Sequence, residues 1–307
     1  MAFDVEAMID RRRLKRSLTF WRVFGVAAAV AAAIAAFGSF ESGGGFGAHI
    51  ARLTVSGVIF DDAARDKAID AVIDDDATKA LIVSIDSPGG TFVGGEALYR
   101  SLRRVAETKP VVAVMGGTAA SAAYMTAVAT DHVIARAGTI TGSIGVIMQT
   151  ADITGMLDKL GIKPEVIKSG QFKAQPNPLE PFSPAARAVS EEIIADLFGM
   201  FVEIVAERRG MPEAKVRELA DGRVYSGRRA KALGLVDVIG AEKEALAWLT
   251  ETRKIEADLP VRDVKIDDED EAWRQLMKGS LAGVFGSSIG KALFSERLKL
   301  DGVISLW

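Results

Sequence analysis

Residues 110–124 read Pro110-Val111-Val112-Ala113-Val114-Met115, then Gly116-Gly117-Thr118-Ala119-Ala120-Ser121-Ala122-Ala123-Tyr124. A continuous apolar run of this length is typical of a strand buried on both faces. It runs into glycines and then into small residues predicted to form a helix over 121–129. The same pattern occurs upstream. Residues 80–85 (ALIVSI) predict a buried strand that ends at Asp86-Ser87-Pro88-Gly89-Gly90-Thr91, followed by an amphipathic helix over 95–107. Two glycine loops after two buried strands place a site at strand carboxyl ends.

Upstream, His49–Ile59 is rich in β-branched residues and predicts a strand, and 63–73 has helical spacing. Downstream, strands are expected at 132–135, 144–148, 165–168 and 236–239, with helices at 153–160, 211–220, 226–233 and 243–252. Ser183 and Pro184 make an N-cap and N1 pair, opening a long helix to about Arg209. This alternation predicts an α/β fold with parallel strands and flanking helices. Segments 273–285 and 289–298 look amphipathic, and the terminus Val303-Ile304-Ser305-Leu306-Trp307 is apolar. Docking on the body or a neighbouring subunit, a membrane-surface segment, and a tail that visits an active site are the competing readings of this end.

The chain has 307 residues, 49% hydrophobic and 26% charged, enough for a sizeable core. A net charge of -3 gives no reason to expect a nucleic-acid partner. Zero cysteines exclude disulfides and thiolate chemistry, and two histidines argue against a histidine-rich zinc site. No metal or cofactor is expected.

Residues 23–40 (VFGVAAAVAAAIAAFGSF) carry no charge and, with Phe20 and Trp21, reach the ~20 residues that cross a bilayer. Arg11, Arg12, Arg13, Lys15, Arg16 and Arg22 precede them, so the positive-inside rule keeps 1–22 in the cytoplasm. A signal peptide cleaved after the alanines, or a buried helix, would also fit such a run. Residues 41–47 read as a flexible linker.

A serine in a small-residue loop, with free backbone N–H groups nearby, is what acyl transfer needs. Ser121 is the candidate nucleophile. A base is harder to find. His132 follows Ser121 across an intervening helix and reads as structural. Lys173 and Lys168 are the alternatives. To act near neutral pH, a lysine pKa must fall from about 10.4 by roughly 2–3, which requires burial away from anions. The Ser-Pro-Gly-Gly loop reads as a plain turn, as an oxyanion site, or as an edge that pairs with an extended peptide.

Together these features resemble the signal peptide peptidase A family in its short bacterial form, membrane-anchored Ser–Lys proteases of the Clp protease/crotonase superfamily, peptidase family S49. The resemblance runs from about His49 to Gly240. It rests on Asp86-Ser87-Pro88-Gly89-Gly90, Gly116 to Tyr124, Thr141-Gly142-Ser143-Ile144-Gly145-Val146, Lys168 to Lys173, and Asp221-Gly222-Arg223-Val224-Tyr225-Ser226-Gly227-Arg228-Arg229-Ala230. It implies Ser121 as nucleophile, Lys173 as general base, and Ser143 as the residue that orients the lysine. It also implies an oxyanion hole from Gly89 or Gly90 with the N–H of Ala122. The family often has Asn where this chain has Asp86, and a third glycine where it has Thr91.

The resemblance further implies a homo-oligomeric ring whose active sites are shared between protomers, with signal peptides and other unfolded polypeptides as substrates. The expected organisation is a cytoplasmic segment (1–22), a transmembrane anchor (23–40), a linker (41–47), a periplasmic protease domain (48–255) and a C-terminal extension (256–307). The expected location is the bacterial inner membrane.

Overall fold

The computed structural model describes residues 21–26, 28, 47–266 and 304–305. It divides into two compact units, Met1–Gly47 and Ala48–Trp307. In the first, residues 21–26 are helical, with Trp21 and Phe24 edge to face at 5.8 Å. Most of the anchor expected over 23–40 lies outside the described residues, as do 41–46, 273–285 and 289–298. Among the described residues no helix is long and apolar enough to cross a membrane.

The second unit is built on one sheet flanked by helices. Its elements are β1 (His49–Ile59), α1 (Ala63–Asp74), β2 (Thr78–Thr91), α2 (Phe92–Ala106), β3 (Val111–Ala120), α3 (Ala122–Val128), β4 (His132–Ala135) and β5 (Ile140–Gly142). They continue as α4 (Thr154–Lys159), α5 (Pro184–Arg209), α6 (Glu213–Leu219), β6 (Val224–Ser226), α7 (Gly227–Ala232), β7 (Val238–Ile239), α8 (Glu242–Arg253), β8 (Val261–Asp263) and β9 (Ile304–Ser305). The main strand order is β6-β5-β3-β2-β1-β8, with β4 and β7 branching from β3 and β9 added to β2. The pairings are parallel except β5 with β6 and β2 with β9.

Burial on both faces explains the continuous apolar runs. Leu81, Val83 and Ile85 of β2 pack into one core with Leu98, Leu102 and Val105 of α2. Ala80 and Ile82 face the other way, joining Val112 and Val114 of β3 and Ala245 and Leu249 of α8. Each large side chain buried this way stabilises the fold by roughly 1.5–3 kcal/mol. Helix α5 starts where the Ser183 hydroxyl accepts the Ala186 N–H at 3.2 Å and stops at Gly210, whose φ of 60° is left-handed.

Two expected strands are absent. Residues 144–148 and 165–168 form no strand, and Ile167 is fully exposed. The strand forms earlier, at Ile140–Gly142, because that is where a sheet edge is free. β4 leaves β3 at Met115, and β5 takes over the same edge from Thr118 to Ala120. Conversely, β2 runs through the Pro-Gly-Gly sequence instead of turning there, with Gly89 and Gly90 paired to Val58 and Ile59. Val261–Asp263 joins the sheet beside β1, so the body of the fold reaches into the region expected as an extension.

Candidate active site

The change of partner along β3 builds the site. Met115 is the last β3 residue paired with β4, and Thr118, Ala119 and Ala120 pair with Ile140, Thr141 and Gly142 of β5. Ser121 follows at the sharp junction between β3 and α3. Its backbone sits at φ 56° and ψ −124°, a region L-residues avoid at a cost of order 1–3 kcal/mol. The strain is held by two backbone bonds: the Ser121 N–H donates to the Gly142 carbonyl at 2.8 Å, and its carbonyl accepts from the Met125 N–H at 3.0 Å. A strained serine between a strand and a helix is the arrangement that presents a nucleophilic hydroxyl.

Packing holds α3 against this junction. All seven of its residues are buried. The Tyr124 hydroxyl donates to the Leu235 carbonyl at 2.9 Å, and burial pushes its pKa well up, so it stays a neutral donor. α2 crosses α3 closely, since a Cβ on Gly95 would lie 2.8 Å from that of Ala122. Ala122 opens α3, so its N–H has no intrahelical acceptor.

Ser143 directly follows the Gly142 that receives the Ser121 bond. It is buried, has a positive φ of 48°, and donates its N–H to the Arg223 carbonyl at 2.9 Å. Gly142 is also left-handed (φ 83°) and pressed against the Tyr225 ring, where a Cβ would lie 2.6 Å from Cδ2.

The glycine loop lies on the other side. Ser87 pairs with Ala119, so Gly89 and Gly90 continue just past the point where β3 turns away. Gly89 has φ 114° and its N–H donates to the Ser87 hydroxyl at 3.1 Å. Gly90 touches β1 so closely that a Cβ would lie 1.9 Å from the Ile59 carbonyl oxygen. With one edge of Gly90 on β1, its other edge is the one β3 vacates. There Ser305 pairs antiparallel with Gly90, and Ile304 with Thr91. The edge beside Ser121 therefore accepts an extended chain.

The lysines are placed differently. The Lys168 ammonium lies 2.5 Å from the Glu180 carboxylate, which also accepts from the Gln175 amide at 2.5 Å. The Lys168 hydrogen bond holds the Glu180 carboxyl below its ordinary range. Lys173 sits between these partners on the same loop, exposed, with its N–H donating to the Gly170 carbonyl at 3.1 Å. Its own chain thus does not supply the burial a lysine base requires. None of residues 145–185 is buried, and Met156, Leu160, Ile162, Val166, Ile167 and Phe172 are exposed.

His132 is remote from Ser121. It opens β4 opposite Val112, near the amino end of β3, and stacks on Trp248 at 4.8 Å. His49 starts β1 and lies 3.1 Å from the Thr78 hydroxyl, also at a strand amino end. Among the described residues no cluster of acidic and histidine side chains could hold a metal ion.

Two contacts at the site carry no local sequence signal. One is the Glu180 carboxylate that occupies Lys168. The other is the Asp86 side chain, which accepts the Thr118 N–H at 2.9 Å. No local pattern signals either, because the partners lie far apart in the chain.

Residues 103–256 match peptidase family S49, a span that includes Ser121, Ser143 and Lys173. A putative protease of Synechocystis is 37% identical over 75% of this chain and 83% of its own length. A putative signal peptide peptidase SppA of Enterococcus faecium is 32% identical, over 71% of this chain and 67% of that protein. The chloroplastic serine protease SPPA of Arabidopsis thaliana is 31% identical over 73% of this chain and 34% of that protein. With a strained serine at the carboxyl ends of parallel strands and these relatives, the chain belongs to peptidase family S49 and is a serine protease of the signal peptide peptidase A type.

Proposed function

We propose that the protein is a membrane-anchored endopeptidase that cleaves spent signal peptides and other unfolded polypeptides with a Ser121–Lys173 dyad. The observation that carries this reading is the strained Ser121 backbone beside Gly142, next to a strand edge that pairs with an extended segment, Ile304–Ser305. The Ser121 hydroxyl attacks the substrate carbonyl, and neutral Lys173 takes its proton. The N–H groups of Ala122 and of Gly89 or Gly90 stabilise the oxyanion. Because the Gly89 N–H is engaged by Ser87, its use requires the substrate oxygen to displace that hydroxyl. Lys173 then protonates the leaving amine, and water resolves the acyl-enzyme. Ser143, next to Gly142, orients the lysine amine.

Lys173 is taken as the base in preference to Lys168 because the Lys168 ammonium is engaged by the Glu180 carboxylate. The exposed apolar arm over 145–185 fits burial by a second copy, as in a ring whose protomers exchange serine and lysine. The charge-free run over 23–40 behind a basic segment fits a single anchor in a bacterial inner membrane, with the protease unit in the periplasm. A non-catalytic scaffold of the same fold is the alternative, and it would have no use for strain at Ser121.

The test is hydrolysis of a fluorogenic peptide with small or apolar residues before the scissile bond, followed against pH. Activity is expected to rise into mildly alkaline pH and to vanish in both Ser121→Ala and Lys173→Ala. Activity that survives Lys173→Ala would move the base elsewhere, and inactivity of an intact oligomer would favour the scaffold.

A further inference from the structure

We propose that Asp86 is a positioning residue for this site: its carboxylate pins a bulge in β3 and so sets Ser121 against the glycine loop of β2. The proposal rests on Ser121 as nucleophile and on Gly89 or Gly90 as oxyanion donor. β2 and β3 run in register up to Ile85 and Met115, and pair again at Ser87 and Ala119. Between these pairs β2 has Asp86 alone, whereas β3 has Gly116, Gly117 and Thr118. The longer strand must loop out, which is a bulge.

Asp86 fills the loop. Its Oδ1 accepts the Thr118 N–H at 2.9 Å. A Cβ on Gly116 would lie 3.2 Å from the Asp86 Cβ and Cγ, and one on Gly117 would lie 3.4 Å from Oδ1. The opposite edge of the bulge is also tied. The Thr139 hydroxyl donates to the Gly116 carbonyl at 2.7 Å, and the Thr141 hydroxyl to the Ala119 carbonyl at 2.7 Å. The bulge is where β3 exchanges β4 for β5, the change that brings Ser121 beside Gly142.

The Asp86–Thr118 bond is a side-chain tie between the two loops. Asp86 precedes Gly89 by three residues, and Thr118 precedes Ser121 by three. A shift at the tie therefore reaches both the nucleophile and the oxyanion donors. The bond is solvent-exposed, so its loss should leave the fold nearly intact while misaligning the reacting groups. A displacement of about 1 Å can cost on the order of 100-fold in rate. The acceptor oxygen matters in this scheme, and the charge does not.

The test compares full-length Asp86→Ala, Asp86→Asn and Asp86→Glu, with Ser121→Ala as control. It measures kcat and KM on an internally quenched peptide, the rate of fluorophosphonate labelling, and the unfolding midpoint. Asp86→Ala should lose about 10- to 100-fold in kcat and in labelling rate, with KM within about twofold. Asp86→Asn keeps an acceptor in place and should stay within about threefold. Asp86→Glu keeps the charge but displaces the acceptor, and should be impaired. It also decides the matter if the alanine variant does not fold. Wild-type kcat in Asp86→Ala, or in Asp86→Glu, overturns the proposal, as does Asp86→Asn that is folded but as slow as Asp86→Ala. Residual activity in Ser121→Ala would instead sink the nucleophile assignment, a result distinguishable from all of these.

Discussion

The Ser121 N–H donates to the Gly142 carbonyl at 2.8 Å, and this bond joins the ends of β3 and β5 where both backbones turn left-handed. Ser121 and Ser143 thereby occupy corresponding positions on neighbouring strands. Both carry a positive φ, which is costly for a residue with a side chain. Ala174 and Lys254 are the other described non-glycine residues with a positive φ, so two of these four strained positions are the serines that the proposed chemistry uses.

Replacing Ser121 by glycine should relieve that strain, whereas alanine retains it. Both variants should be inactive. Ser121→Gly should be more stable than Ser121→Ala by about 1 kcal/mol, after allowing for the greater freedom of glycine in the unfolded chain. Denaturant melts of the two variants read the difference directly, and equal stabilities would mean that the elbow is unstrained in solution.

Ser143→Ala should lower kcat by about 10- to 100-fold without abolishing it, because it removes an orienting hydroxyl and leaves the base in place. KM should change little. An unchanged kcat would exclude Ser143 from any part in handling the lysine.

Gly90 has no room for a methyl group, given the 1.9 Å separation a Cβ would have from the Ile59 carbonyl oxygen. Gly90→Ala should push β1 and β2 apart and destabilise the fold by roughly 1–3 kcal/mol or more. Thermal unfolding checks this, and a wild-type midpoint would contradict the close approach.

Ile304 and Ser305 lie on the strand edge that a substrate would use. A chain ending at residue 266 should therefore show a lower apparent KM for peptides, with kcat little changed. Identical KM values for the full and shortened chains would mean that the C-terminal strand does not compete for that edge.

Stability should fall on mild acidification because of His132. Burial lowers its pKa below the ordinary value of 6.5, against the pull of Asp237 at 3.7 Å and with a smaller push from Arg209. The folded state thus binds the proton less well than the unfolded chain. Stability is full above about 6.5 and declines as pH falls through the lower folded value. Asp237, whose carboxyl is held below 3.8 because the Arg209 hydrogen bond overcomes burial, acts in a separate and more acidic window. His132→Phe, stacked on Trp248, should flatten the mildly acidic limb. A limb that persists unchanged would assign it to another group.

Much of the frame was legible in the sequence because burial on both faces leaves continuous apolar runs. The bounds of β1, β4 and α5 follow from β-branched residues and from the Ser183, Pro184 and Gly210 caps. The strand at Ile140–Gly142 was not legible. It depends on a free edge of β3, and nothing local distinguishes it from the apolar 144–148. Pro88-Gly89-Gly90 reads as a turn, yet it stays in the sheet because the register slips between Ser56 and Val58 opposite it. Ser121 stood out through its small neighbours, whereas Lys173 was preferred to Lys168 only through the family resemblance; the Lys168–Glu180 contact is a through-space fact that no local pattern carries.

In the proposed ring, Ser121 of one protomer works with Lys173 of another. Inactive Ser121→Ala and Lys173→Ala chains should be mixed under conditions that dissociate and reform the oligomer, and peptidase activity then measured. Recovery of a substantial fraction of wild-type activity, absent from either variant alone, is the predicted result. Mixtures that exchange subunits yet remain inactive would contradict a dyad shared between chains.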